Sequence, residues 1–282
     1  MTAWNAVIGI VARDLARTTR QTSRLLGGLA RPFMWLLLVG TGYNAIARVE
    51  SGLPYHAFVF PGIVVMAALF GAMLTAIATV YDREFGMLRL MLASPAGVPA
   101  VLSGRAIAAA LVGVMQGAVV LAFAPLLLTI TPGQLGAAVG ALVLAAASSA
   151  LLGLLVAARL RSVENFAGVI NVVLFPLLFV SGALYPTTGM PSALRLVAGI
   201  NPVTYQVDLM RHAFGQAAEF AVGRDVLLLL GTIAVAFGLT VLLFDPEQRF
   251  LGRADGGPRG PVGRPGGEVG PADGAAARAS GA

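Results

Sequence analysis

The chain has 282 residues, 57% hydrophobic and 11% charged, where an average soluble domain carries about 25% charged residues. Its net charge is +6, all 19 basic residues are arginine, and there is no cysteine, which excludes disulfides, thiol catalysis and zinc–thiolate sites. The lack of lysine also excludes a P-loop, whose lysine holds the nucleotide phosphates, so any ATP-driven work needs a partner that brings its own nucleotide site.

Residues 3–29 carry a strong helical rhythm. Trp4, Ile8, Val11, Leu15, Thr18, Thr22, Leu25 and Leu29 recur at steps of four and three, and Arg13, Arg17, Arg20, Arg24 and Arg31 keep the same rhythm on another face. This predicts an amphipathic helix too charged to cross a bilayer and suited to the interface plane. Trp4–Val11 has no basic residues before it and charges directly after it, unlike a secretory signal.

Six continuously apolar runs follow, near 32–48, 57–80, 106–130, 134–158, 166–185 and 225–244. About 20 residues cross a hydrocarbon core roughly 30 Å thick, and continuous rather than alternating runs argue against a β-barrel. The expected fold is an all-α polytopic membrane protein with six transmembrane helices. Pro32 suits the first turn of span one. The link Thr131-Pro132-Gly133 is so short that spans three and four should form an antiparallel hairpin.

Between spans two and three lies a charged interruption, Tyr81-Asp82-Arg83-Glu84-Phe85-Gly86-Met87-Leu88-Arg89-Leu90-Met91-Leu92-Ala93-Ser94-Pro95. Phe85, Leu88, Met91 and Leu92 fall on one helical face, Asp82, Arg83 and Glu84 cluster at its start, and Pro95 and Pro99 end it. After span five, Gly182 and Pro186 break the helix and Asn201-Pro202 signals a turn and a new helix start. Asp208 and Arg211, three apart on one face, are placed to pair. From Asp245 the chain is rich in Gly and Pro, which reads as a disordered tail.

Arginine placement orients the chain. Arg13, Arg17, Arg20, Arg24, Arg31, Arg83, Arg89, Arg105, Arg159, Arg161 and the tail arginines fall on one side, while Arg48, Arg195, Arg211 and Arg224 fall on the other. By the positive-inside rule both termini should be cytoplasmic, and the cytoplasmic membrane is the expected location. The domain plan is 1–31 interfacial helix, 32–244 six-span transmembrane domain and 245–282 tail.

The run Asp82-Arg83-Glu84-Phe85-Gly86-Met87-Leu88 through Ala93-Ser94-Pro95 resembles the first cytoplasmic loop of type-2 ABC exporter permeases, the family of daunorubicin-resistance-type drug permeases and of polysaccharide and nodulation-factor exporters. Phe175-Pro176, Ser181-Gly182, Tyr185-Pro186, Pro191, Asn201-Pro202, Tyr205, Asp208 and Arg211 resemble that family's segment between spans five and six. The resemblance covers the chain up to the tail. It implies that residues about 82–95 form a coupling helix docking on an ATPase subunit, with Asp82, Arg83, Glu84, Phe85, Gly86 and Leu88 as contacts. It also implies short re-entrant helices on the outer side, about 182–215, built on Gly182, Tyr185, Pro186, Asn201, Pro202, Asp208 and Arg211.

The spans hold no ionisable residue in their interiors, which argues against a proton- or sodium-coupled pump. Among their neutral polar residues, Asn44, Thr75, Gln116 and Asn171 are candidates for a substrate path; such groups also hydrogen-bond between helices, for about 0.6 kcal/mol each. Thr41, Thr79, Ser148 and Ser149 belong to the same set. Gly113 with Gly117, and Gly136 with Gly140, are small-residue pairs suited to close helix packing. His56 and His212 stand alone in sequence, and nothing marks a metal or catalytic site.

The expected function is the permease subunit of an ATP-driven exporter for an amphipathic drug or lipid-like substrate. It would bind no cofactor itself, the ATP and Mg being used by a partner P-loop ATPase. A second permease subunit and membrane lipids are the other expected partners, and nucleic acid is not one. A polysaccharide or lipo-oligosaccharide exporter of the same family is the alternative; the modest aromatic content, 7%, leans away from it. From another class, a membrane-embedded lipid-modifying enzyme would need convergent acids or a nucleophile near an interface, and Asp82 and Glu84, two apart on a helix, do not face each other.

Overall fold

A computed structural model describes residues 3–40, 42, 54–92 and 94–254. Asn44, Thr41, Arg48 and the tail beyond Ala254 lie outside the described residues. Among those described, the regular structure is helical throughout: α1 Ala3–Arg20, α2 Thr22–Met34 running on as a π turn Trp35–Val39, α3 Tyr55–Glu84, α4 Met87–Leu92, α5 Gly97–Leu121 with a one-turn extension Ala124–Leu127, α6 Pro132–Arg159, α7 Val163–Val180, α8 Ser192–Ile200, α9 Pro202–Ala213 and α10 Val222–Ala254.

Five helices, α3, α5 with its extension, α6, α7 and α10, are long and apolar enough to cross a membrane, and Leu25–Val39 is a shorter apolar helix. The chain is a multi-pass membrane protein. Helix α3 is apolar all round and forms the axis of the bundle: 83% of its most apolar stretch is buried, against 22% for α7 and 17% for α10. It packs on α5 and α6, which pack on each other, while α10 and α9 flank α6. Close approach comes from small residues. A Cβ on Gly113 would lie 2.8 Å from the Ala68 carbonyl and 3.2 Å from the Ala146 Cβ, and one on Gly117 would collide with Leu142. The second expected pair behaves differently, since Gly136 and Gly140 face open space.

Several boundaries move, each for a local reason. The amphipathic helix does not run unbroken over 3–29; it breaks at Gln21 (φ −96°, ψ 64°), and α2 continues into the first span. Pro32 therefore lies in the last turns of α2 rather than at a helix start. The face of α1 on the bundle is Val7, Ile10 and Asp14, whereas Trp4 and Ile8 of the expected apolar stripe are exposed. Gly104 of α5 makes that docking possible, since a Cβ there would meet Ile10 at 3.0 Å. Helix α3 absorbs Asp82, Arg83 and Glu84 as its last turn, so α4 is shorter than the expected 82–95 helix. Pro99 sits in the first turn of α5, which thus starts nine residues ahead of the expected 106. Helix α6 opens on a capping box: Thr131 Oγ1 accepts from Gln134 N–H at 3.3 Å and Gln134 Oε1 accepts from Thr131 N–H at 2.9 Å. Helix α10 runs through Ala254, into the stretch expected as tail.

Candidate functional site

Arg13, Arg17, Arg83 and Arg105 gather at one end of the bundle, around the last turn of α3. Asp82, 5% exposed, is the hub. It is ion-paired with Arg105 of α5, and lies 3.2 Å from Arg13 and 3.4 Å from Arg17 of α1. Asp14 completes the cluster, 2.8 Å from Arg13 and 3.9 Å from Arg105. Two buried carboxylates thus face one buried and two half-exposed guanidinium groups. Arg105 also donates to Thr79 Oγ1 at 3.3 Å, and both Arg13 and Arg105 reach the Met91 sulfur at 3.3 Å.

Arg83 points the other way round the helix. Its guanidinium donates to the carbonyls of Ala157, Ala158 and Leu160, at 3.0, 3.0 and 2.9 Å, closing the C-terminal end of α6. It also lies 4.6 Å over the Phe244 ring of α10. Glu84 Oε2 accepts from the backbone N–H of Val163 at 3.0 Å, at the start of α7, where a negative charge suits the helix dipole. Asp82 and Glu84 are each committed to different partners, so no acid/base pair forms there.

Gly86 (φ +77°) and Gly97 (φ +76°) bracket α4, and each holds a left-handed conformation open to glycine at little cost. Between them the short helix has two faces. Leu88 and Leu92 are fully buried against Ile10, Val98, Leu102 and Phe244. Phe85 (66% exposed), Met87 and Leu90 (71%) point away from the protein. Of the six residues that the sequence put in contact with a partner, Asp82 and Leu88 are therefore buried within the chain, Arg83 and Glu84 hold neighbouring helix ends, and Phe85 and Gly86 stand at the tip. Met87 and Leu90 share the exposed face. Their signal in the sequence was being apolar out of phase with Leu88 and Leu92.

At the opposite end the chain leaves α7, turns at Ser181–Tyr185, and passes through a 3-10 turn Thr187–Gly189 into α8 and α9. Asn201 caps α9 by accepting from Val203 N–H at 3.0 Å, and its amide donates back to the Leu177 carbonyl at 2.7 Å. Pro202 occupies the first helical position. Helix α9 is buried nearly throughout, and Gln206 joins it to α6 by donating to Ser148 Oγ at 2.7 Å and accepting from Ser149 at 3.3 Å. Those serines are interhelical links, as the hydrogen-bonding alternative for such groups holds.

Asp208 and Arg211 do not pair. Asp208 accepts from the N–H groups of Glu219 and Phe220, both at 2.8 Å, and so folds the 214–221 loop back over α9. Arg211 donates to the Gly182 carbonyl at 2.6 Å and lies 4.4 Å over Phe58. Burial lowers the pKa of this guanidinium, and Asp208 and Glu219 oppose the shift. Tyr185 is at the surface beside Pro186.

Of the path candidates, Thr75, Gln116 and Asn171 fall among the described residues. Thr75 and Asn171 bond to carbonyls of their own helices, Gly71 at 2.8 Å and Ala167 at 2.9 Å. Gln116 is buried, wedged between Gly28 and Gly71. A separate apolar groove lies between the π turn, α3 and α7, lined by Trp35, Gly62, Met66, Phe175, Phe179 and Leu184.

The molecule so described is a polytopic helical protein with a short two-faced helix strapped across its arginine-rich end and re-entrant helices at the other. Residues 5–214 match the ABC-2 type transporter family, and the chain belongs to it. It is similar to the putative transport permease ycf38 of Cyanophora paradoxa, 28% identical over 216 residues that cover 74% of each chain. It is also similar to nodulation protein J of Rhizobium leguminosarum bv. trifolii, 28% identical over 189 residues, 66% of this chain and 72% of that one. The probable multidrug ABC transporter permease YbhR of Escherichia coli K12 is 28% identical over 193 residues, 67% of this chain and 50% of that one. Relatives named as transport permeases fit a membrane subunit that is not itself an enzyme.

Proposed function

We propose that this chain is the membrane-spanning subunit of an ATP-driven exporter in the cytoplasmic membrane, with both termini cytoplasmic. A separate P-loop ATPase supplies the work, using ATP and Mg, and a second permease subunit completes the pathway. The substrate is an amphipathic drug or lipid-like molecule, in keeping with spans whose interiors lack charge and with the apolar groove beside Trp35 and Phe179.

The observation that carries this reading is α4. Its inner face, Leu88 and Leu92, is packed into the bundle, its outer face exposes Met87 and Leu90, and Phe85, just before it, is exposed beside them with one side of its ring on Tyr81. Exposed apolar side chains grouped beside charged ones mark interaction surfaces. A partner that pushes on this face moves α3 and α5 together, because Asp82 and Arg105 join them directly behind it. Docking contacts are therefore Phe85, Gly86, Met87 and Leu90, with Asp82, Arg83 and Leu88 holding the helix in place.

The test is Leu90→Asp in the chain co-expressed with its partner P-loop ATPase. A charge at this exposed position leaves thermal unfolding of the permease unchanged, while the ATPase no longer co-purifies and transport into inverted vesicles is lost. Undiminished transport by Leu90→Asp overturns the reading, as does nucleotide-independent transport by the chain alone.

A further inference from the structure

We propose that Asp208, His212 and Asp225 form a binding site for a single divalent metal ion of the zinc class, which staples α9 to α10 at the end of the bundle opposite α4. The two histidines are isolated in sequence, but the fold changes that for His212. Asp208 lies one turn before it on α9, and the loop held by Asp208 brings the first turn of α10 alongside. His212 Nε2 then stands 4.0 Å from Asp208 Oδ2 and 3.8 Å from Asp225 Oδ2. One ligand atom from each of the three residues lies within 4.8 Å of the other two. Ligands about 2.1 Å from a tetrahedral ion are about 3.4 Å apart, so the two carboxylates have to rotate inward by up to about 1.4 Å to close the set.

Asp225 points to the ligand independently. Its side chain is fully buried, and neither carboxylate oxygen has a hydrogen-bond partner. A buried carboxylate is held by paired charge, by hydrogen bonds or by a metal. Arg224, its neighbour in sequence, stacks 4.5 Å over the Phe220 ring instead. Asp208 has its oxygens filled by two N–H groups but keeps lone pairs for an ion.

A fourth oxygen is at hand. The Phe220 carbonyl lies 2.7 Å from His212 Nε2. Without metal, Nε2–H donates to that carbonyl. With metal, the ring proton sits on Nδ1, Nε2 gives its lone pair to the ion, and the carbonyl turns from hydrogen-bond acceptor to ligand. One imidazole with carboxylate and carbonyl oxygens suits zinc and its neighbours better than the all-oxygen sets of calcium or magnesium. The His212 side chain is 27% exposed, which gives the ion an entry.

The test uses the full chain in nanodiscs, stripped with chelator and then given zinc chloride. Bound metal is counted after desalting, and thermal unfolding is followed with and without zinc. The expected result is about one zinc per chain and a raised unfolding midpoint, both lost in His212→Ala and in Asp225→Asn. Without zinc, Asp225→Asn unfolds at or above the wild-type midpoint, because it removes a buried carboxylate that accepts no hydrogen bond and has only His212, 3.8 Å away, beside it as a basic group. Zinc retention by the two variants equal to that of the wild type overturns the proposal. So does a wild-type chain that keeps no zinc, or one that keeps magnesium or calcium in its place.

Discussion

Asp82 shows how one side chain can carry an element. A carboxylate at the end of a membrane helix is ordinarily a solvated group, yet here it is buried among Arg105, Arg13 and Arg17. Removing one partner of a buried pair leaves the other charge uncompensated, at a cost of about 3–5 kcal/mol, whereas an apolar replacement of both is often neutral. Asp82→Ala is therefore expected to destabilise the protein strongly by stranding Arg105, which is 2% exposed. Asp82→Leu combined with Arg105→Met should recover most of that loss, since Arg13 and Arg17 keep water contact and Asp14 remains to pair with Arg13. Chemical unfolding of the three proteins in one detergent measures the difference. Equal destabilisation by the single and double variants would show that the cluster is held by something other than this pair.

At the scale of elements, the small-residue packing of α3, α5 and α6 makes a sharp contrast between glycines that look alike in sequence. A valine at Gly113 places a Cβ 2.8 Å from the Ala68 carbonyl, a backbone atom that cannot move without shifting α3. Overpacking of this kind costs about 1–3 kcal/mol. Gly113→Val is expected to lower the unfolding midpoint and the yield of folded protein, and Gly136→Val, facing open space, to leave the midpoint unchanged. Both pairs have the same spacing, so sequence alone could not rank them; which helix face meets a neighbour depends on the rotation of α5 and α6 in the bundle. The spans themselves were legible because continuous apolar runs need no partner to be read. Their ends were not: Asp82, Arg83 and Glu84 read as the start of a separate helix until their partners Arg105, Ala157 and Val163 are in place. For the same reason the docked face of α1 was misread, since Trp4 and Ile8 supply hydrophobicity without touching the bundle, while Val7 and Ile10 touch it. The neighbourhood of His212 was invisible because Asp225 reaches it only through the fold of the loop between α9 and α10.

Across the whole molecule, the last turn of α3, the end of α6 and Phe244 of α10 meet at a single residue. Arg83 binds three carbonyls at the end of α6 and covers Phe244 of α10, while its own helix leads straight into Gly86 and α4. In an exporter of the proposed kind, docking and transmission then become separable. The exposed face of α4 recruits the partner, and Arg83 passes its displacement from α3 to the helices on the far side of the axis. Arg83→Ala keeps Phe85, Met87 and Leu90 in place, so the ATPase should still co-purify and hydrolyse ATP. The variant loses three charge-assisted hydrogen bonds at the end of α6, each worth about 1.5–3 kcal/mol, and the contact over Phe244, so transport and hydrolysis are compared at matched amounts of folded protein. Transport per ATP hydrolysed should fall at least about tenfold, the factor that corresponds to roughly 1.4 kcal/mol of lost coupling. Arg83→Lys should recover little, because a single ammonium on a flexible stem lacks the planar fork that serves three acceptors at once. Measuring ATP hydrolysis and substrate movement in the same proteoliposomes separates the two roles. An Arg83→Ala complex that transports at the wild-type ratio would move the transmission route to the cluster around Asp82.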